Sequence, residues 1–258
     1  MNILIVGDIF SKLGRDSLER NLKIIKDRLK INFLIVNGEN ITHGKGINEK
    51  HYKWLLSLGV HVITLGNHTY HNKDILSFIE TSPNIIRPYN FPINSPGKGY
   101  VTINYNGKKI TVFQMIGTVF LGEGNESPFL KTKEILKNIK SDIFICDFHA
   151  EATSEKLAFA HYFDGDIQII FGTHTHVPTK DARILSKGTA YITDVGMTGP
   201  LDGIIGVKKE VVINRFLNLS NEIFVPESEG KSQFNAIYVV LDDKTNKAIS
   251  IESIQIID

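Results

Sequence analysis

Cysteine is nearly absent: Cys146 is the single example in 258 residues. No intramolecular disulfide can form, and a zinc site built on several thiolates is excluded. Cys146 lies in the apolar run "DIFICDF", which predicts a buried, inert thiol. Long apolar runs are missing too. No segment approaches the ~20 residues that a membrane-spanning helix needs. The opening stretch "MNILIVGDIF" is too short for a signal-peptide core and has no basic region before it, so a cytoplasmic location is expected. Net charge is also small: 29 Lys and Arg stand against 28 Asp and Glu, leaving +1. This argues against an extended surface for nucleic acid or anionic membrane, and leaves room for a small phosphorylated ligand. The basic stretch "RNLKIIKDRLK" reads as a solvated helix face. No repeat, low-complexity segment or clear linker interrupts the chain, and one domain over 1–258 is expected.

What is present is an alternation of apolar runs and helical patterns. "NILIV" precedes a helix with Leu18, Leu22, Ile25 and Leu29 on one face. "FLIV" precedes a helix in "NEKHYKWLLSLG" that ends at Gly59, and "VHVITL" precedes a third helix near "NKDILSFIE". This β-α-β-α order predicts parallel strands with helical crossovers. The Pro-rich segment 81–99 reads as a loop. Asn106-Gly107 marks a hairpin between two strands of 100–117. Helices are expected near 130–139 and over 154–163, each before an apolar strand, "DIFICDF" and "IQIIF". The tail reads as strands at "DARIL", "TAYITDV", "VVINRFL", "NEIFV", "NAIYVVLDD" and "AISIESIQII", with a tight turn at "GMTGP".

The polar residues fall in a pattern. Five apolar runs are each followed by a side chain able to bind a metal: Asp8, then Glu39-Asn40, then Asn67-His68, then His149, then His174 and His176. Gly7, Gly38 and Gly66 directly precede the first three groups. Taken singly, Asp8 could cap a helix, "GEN" could be a turn, and two histidines in "GTHTH" could be surface residues. Taken together, they would converge on one rim, because ligands in open α/β sheets bind beyond the carboxyl ends of the strands. If 174–176 were extended, His174 and His176 would face one point. Two carboxylates, several histidines and amides exceed the about four ligands of one tetrahedral zinc. They suit two divalent cations ~3.5–4 Å apart, an arrangement that clamps an in-line displacement at phosphorus.

"GD" at 7–8, "GEN" at 38–40, "GNH" at 66–68, His149 and "GTHTH" at 172–176 resemble the calcineurin-like metallophosphoesterases, in the same chain order. "DFHAEATSEK" and "AYITDVGMTGP" resemble one bacterial branch, the YmdB-like phosphodiesterases, over nearly the whole chain. The resemblance implies a four-layer α/β/β/α sandwich, two central mixed sheets flanked by helices. It implies that Asp8, Asn40 and His176 hold one metal, that Asn67, His149 and His174 hold the other, and that Glu39 bridges. His68 would be the general acid. Iron or manganese would be the metals, with zinc as an alternative; carboxylate, amide and imidazole ligands agree with all three. The wider superfamily begins Asp-x-His, whereas Ile9 and Phe10 follow Asp8 here, and Asn40 is the natural substitute. His71 stands where the closer branch is expected to carry an acid, which bears on the pH optimum.

The expected activity is hydrolysis of a small phosphodiester, foremost a 2′,3′- or 3′,5′-cyclic nucleotide, by a metal-bridging hydroxide with His68 as proton donor. The alternatives are a nuclease or phosphomonoesterase with the same site, or a nucleotide sensor without turnover. His43, His71 and Thr198 are further candidates for contact with substrate. His51, His61 and His161 read as surface residues, and Ser154 and Lys156 as the start of a helix. A homo-oligomer assembled through the strand-rich tail is left open.

Overall fold

The computed structural model describes residues 1–121 and 124–258. In chain order, β1 is Asn2–Val6, β2 is Asp8–Ile9, α1 is Ser11–Leu29, β3 is Phe33–Asn37, α2 is Glu49–Ser57, β4 is Val62–Thr64 and β5 is Ile85–Ile86. The hairpin follows as β6 (Tyr100–Tyr105) and β7 (Lys108–Ile116), then α3 (Pro128–Asn138), β8 (Ile143–His149), α4 (Thr153–Tyr162) and β9 (Ile169–Thr173). Last come β10 (Arg183–Ile184), β11 (Ala190–Ile192), β12 (Met197–Pro200), α5 (Lys209–Phe216), β13 (Ser232–Leu241) and β14 (Ala248–Ile257).

These strands form two mixed sheets. The first has the order β2-β12-β13-β1-β3-β4-β5, with β14 also paired to β13; the second has the order β10-β11-β9-β8-β7-β6. β1, β3, β4 and β5 run parallel, as do β7, β8, β9 and β11. Alternation along each strand decides the layers. Ile3 and Ile5 on β1 and Ile35 on β3 pack against Ile145 on β8 and Phe171 on β9, which closes sheet on sheet. The opposite faces carry Leu4, Val6 and Val36, which pack on Leu18, Leu22 and Ile25 of α1 and Leu55 of α2. On the other side, Cys146, Phe148 and Ile170 pack on Phe159 and Phe163. The fold is therefore the expected α/β/β/α sandwich, with Cys146 buried as a free thiol. Among the described residues, no helix is long and apolar enough to cross a membrane.

Several local expectations are corrected. "NKDILSFIE" forms two short 3-10 turns, Lys73–Ser77 and Ile79–Thr81, rather than a helix. Phe78 between them leaves helical geometry at φ −132°, and Pro83 follows closely. "VVINRFL" falls in helix α5, not a strand: adjacent Val211 and Val212 are both buried instead of alternating, while Ile213, Phe216 and Leu217 are exposed. "NEIFV" makes no strand. "GMTGP" is strand β12, wedged between β2 and β13, rather than a tight turn. His61 and His51 are half-buried rather than surface residues: His61 stacks on Phe33, and His51 bonds Thr42 through Nδ1 at 2.7 Å.

Candidate metal centre

The parallel strands of both sheets end at one place. β1 delivers Asp8 through Gly7, β3 delivers Glu39 and Asn40 through Gly38, and β4 delivers Asn67 and His68 through Leu65 and Gly66. From the second sheet, β8 ends on His149, and β9 leads into His174 and His176. Gly66 is required by crowding. A Cβ there would lie 2.1 Å from Glu39 Oε2 and 2.4 Å from His149 Nε2. Asp8, Glu39, Asn40 and His149 are all buried, with at most 1% exposure.

The donors gather in two linked groups. In one, His149 Nε2 lies 2.8 Å from Asn67 Oδ1, 3.1 Å from His174 Nδ1 and 3.3 Å from Glu39 Oε1. In the other, His176 Nε2 lies 3.0 Å from Asn40 Nδ2 and 3.7 Å from Asp8 Oδ1. Glu39 Oε1 also accepts from Asn40 Nδ2 at 3.2 Å, so Glu39 stands between the groups. Asp8 Oδ1 is fully buried with no hydrogen-bond partner among the described residues. Such an orphaned carboxylate oxygen is costly and calls for a cation.

The outer partners fix the imidazoles. The Thr173 hydroxyl donates to Asp147 Oδ1 at 2.7 Å, so it accepts from His149 Nδ1 at 2.8 Å. His176 Nδ1 donates to the Ile205 carbonyl at 2.8 Å. His174 Nε2 donates to Glu151 Oε2 at 3.1 Å. Each neutral ring therefore carries its proton on the outer nitrogen and turns a bare nitrogen inward. Hydrogen-bonded outer nitrogens of this kind orient metal-binding histidines. Carboxylate oxygens, amides and three inward imidazole nitrogens together fit divalent cations.

Charge is shifted throughout the cluster. Burial pushes the Asp8 carboxyl up to about 7, against the pull of His176 and His149. Burial also opposes ionisation of Glu39, but His149 and His68 outweigh it and hold Glu39 below the usual carboxylate range. Burial pulls His149 down, yet Glu39, Asp8 and Asp147 outweigh it and raise it to about 9. Burial and the neighbouring His149 lower His174 to about 3.

The candidates for substrate contact divide. His68 is half-buried beside the cluster; its backbone N–H donates to Glu39 Oε2 at 3.1 Å, and its Nδ1 lies 2.9 Å from Asn40 Oδ1. Its imidazole is lowered by burial, with Glu39 opposing. His71 is exposed, and its ring centre lies 4.6 Å from that of His68. His43 is exposed on a loop with φ +52°. Thr198 is not placed for substrate. It is fully buried, and its hydroxyl is taken up by the Asn235 carbonyl at 3.1 Å and the Asn235 N–H at 3.0 Å. The cluster opens into a cleft of about 280 Å³ lined by Glu39, His68, Glu151, His174, Thr175, His176 and Ile205.

The extended reading of "THTH" is also corrected. β9 stops at Thr173, and His174 and His176 adopt left-handed backbone at φ +98° and +66°. The two rings consequently serve different groups instead of one point. Sequence reasoning missed Glu151 and Ile205. Glu151 was visible inside "DFHAEATSEK", whereas a backbone carbonyl leaves no signal in a sequence.

The profile of a family described as "YmdB-like protein" matches residues 4–254. The chain belongs to that family. The YmdB-like chain is 47% identical over 261 residues to the 2′,3′-cyclic-nucleotide 2′-phosphodiesterase of Bacillus subtilis, covering 100% of this chain and 98% of that protein. Among solved structures, one from Mycoplasma pneumoniae, titled a novel phosphatase, superposes with a TM-score of 0.95 at 40% identity, covering 100% of this chain and 93% of that one. A hypothetical protein from Thermus thermophilus superposes with a TM-score of 0.94 at 36% identity, covering all of both chains.

Proposed function

We propose that the protein is a metal-dependent phosphodiesterase that hydrolyses 2′,3′-cyclic nucleotides. The observation that carries this reading is the set of inward-turned ring nitrogens on His149, His174 and His176, their outer nitrogens bonded elsewhere, beside buried Glu39 and the orphaned Asp8 oxygen. The name of the Bacillus subtilis relative supports the choice of substrate. Asn67, His149 and His174 would hold one divalent cation, Asp8, Asn40 and His176 a second, and Glu39 would serve both. Manganese and iron are the metals proposed. Bound cations would supply Lewis acidity at the phosphate and an activated water.

The chain's own residues supply the rest. His68 stands at the cleft and gives a proton to the leaving sugar oxygen. Asn40 touches both His68 and His176, at 2.9 and 3.0 Å. As the amide stands, its Oδ1 accepts from His68 Nδ1 and its Nδ2 faces His176 Nε2; for its oxygen to serve a cation the amide would have to turn over, and its NH2 would then face His68 Nδ1 with the His68 proton on Nε2. Glu39 additionally fixes the His68 backbone.

The test is hydrolysis of 2′,3′-cyclic AMP by protein reconstituted with manganese or iron, with product identification. A 3′,5′-cyclic nucleotide, a linear diester and a monoester are run alongside. Turnover of the 2′,3′-cyclic substrate that disappears on chelation and in His68→Ala supports the reading. Preference for the monoester makes the protein a phosphatase instead. No turnover of any of these substrates with two cations bound counts against the reading and points to another phosphoester or to a nucleotide sensor.

A further inference from the structure

Lys156 and Asp194 are charged, fully buried at 1% and 0% exposure, and unused by the chemistry above. Lys156 comes from α4, and Asp194 follows β11. Lys156 Nζ lies 2.7 Å from Asp194 Oδ2 and donates to the Thr173 carbonyl at 2.8 Å. Asp194 Oδ2 also accepts from the Thr175 N–H at 3.1 Å and the Thr175 hydroxyl at 2.9 Å. Asp194 Oδ1 accepts from the Gly196 N–H at 2.8 Å. The pair therefore grips the chain at Thr173 and at Thr175, on either side of His174 and immediately before His176.

That grip lies where the backbone most needs it. His174 and His176 both have positive φ, a conformation that non-glycine residues hold only when their surroundings enforce it. A rotation at Thr175 would swing both imidazoles out of the cluster. The ion pair is a poor source of stability in itself, because desolvating two charges offsets most of their attraction. A positional role accounts for its retention in the core.

We propose that the buried Lys156–Asp194 pair is a positioning device that holds the Thr173–His176 turn so that His174 and His176 meet the cations. The inference rests on the reading that these two histidines bind divalent cations. Neither Lys156 nor Asp194 touches the substrate, and both act through the turn.

The experiment titrates Mn2+ alone into full-length, chelator-stripped protein and follows binding calorimetrically. Wild type is compared with Thr175→Val and Lys156→Met, and each is melted without metal as a control on folding. Thr175→Val removes one bond to Asp194 without uncovering a charge. It is expected to melt as wild type does in chelator, yet to bind Mn2+ about tenfold more weakly, in the range seen when outer partners of metal-binding residues are lost. Its lost turnover is expected to return at saturating Mn2+. Lys156→Met is expected to lose more affinity and to melt lower. If Lys156→Met does not fold, Thr175→Val decides. Wild-type Mn2+ affinity in folded Thr175→Val overturns the positioning role while leaving the metal reading intact. Wild-type protein that binds no Mn2+ overturns both.

Discussion

His68 and Glu39 carry separable roles at the residue scale. His68 lies beside the donors without being one of the inward nitrogens, so His68→Ala should keep its Mn2+ content while turnover falls about 10²–10⁴-fold, the usual worth of a general acid. Elemental analysis alongside kinetics checks this, and full turnover in the variant would remove the role. Glu39 differs. Its Oε1 faces His149 Nε2 at 3.3 Å and Asn40 Nδ2 at 3.2 Å, so one carboxylate serves both groups. Glu39→Gln deletes the charge and turns one acceptor into a donor. The variant should lose bound metal, and two tightly held cations in it would contradict the bridging role.

Asp181 shows how a short connection between elements is held. Its carboxylate accepts from the Thr193 N–H at 3.1 Å, the Thr193 hydroxyl at 2.5 Å and the Thr179 hydroxyl at 2.7 Å. Burial pushes this carboxyl up, but those bonds outweigh it and hold it below the ordinary value. A depressed carboxyl stabilises the fold fully above its unfolded pKa of about 3.9, and that contribution is lost as pH falls through the lower folded value. Asp181→Asn should therefore lower the melting temperature at pH 7, and the gap from wild type should narrow below about pH 4. A gap that stays constant with pH would mean that shape, not charge, is what the site requires. Elements of this kind mark the boundary of what the sequence discloses. β1, β3, β4, β8 and β9 were legible because their apolar runs are continuous and end in Gly or polar residues. The hairpin was legible from Asn106-Gly107, whose φ values of +50° and +80° are those its turn demands. α5 was not, because adjacent Val211 and Val212 favour strand locally and only tertiary burial makes them helical. The residues gathered at the cluster could be read one by one, but the left-handed turn at His174 and His176 could not. It is fastened from elsewhere in the chain, where Asp194 accepts from the Thr175 N–H and hydroxyl, a contact between residues far apart in sequence.

Over the whole molecule, the site is a seam between two sheets. Asp8, Glu39, Asn40 and Asn67 come from the first sheet's strand ends, and His149, His174 and His176 from the second's. Beneath them, Asp147 on β8 accepts from Asn37 on β3 at 3.3 Å, and Gln114 on β7 accepts from the Leu65 N–H just after β4 at 3.0 Å, so protein bonds already cross the seam. Deeper still, Ile35, Val62, Ile145 and Phe171 meet in the dry core between the sheets. Cations bound above this stack would tie the sheets at their open ends and neutralise Asp8 and Glu39, which are otherwise buried beside each other. Binding to the folded state alone stabilises by RT ln(1 + [L]/Kd), about 2.7 kcal/mol per site at a hundredfold excess over Kd. For a chain of this size, each kcal/mol moves the melting temperature by roughly 2–4 °C. Adding manganese to chelator-stripped protein should therefore raise the melting temperature by about 5–10 °C for each occupied site, rising further with the logarithm of free Mn2+. Glu39→Gln should show a smaller rise, because it removes the group shared by both halves. A melting temperature indifferent to Mn2+ would mean that the two sheets are held by their core and by the Asp147 and Gln114 hydrogen bonds, with no cation across the seam.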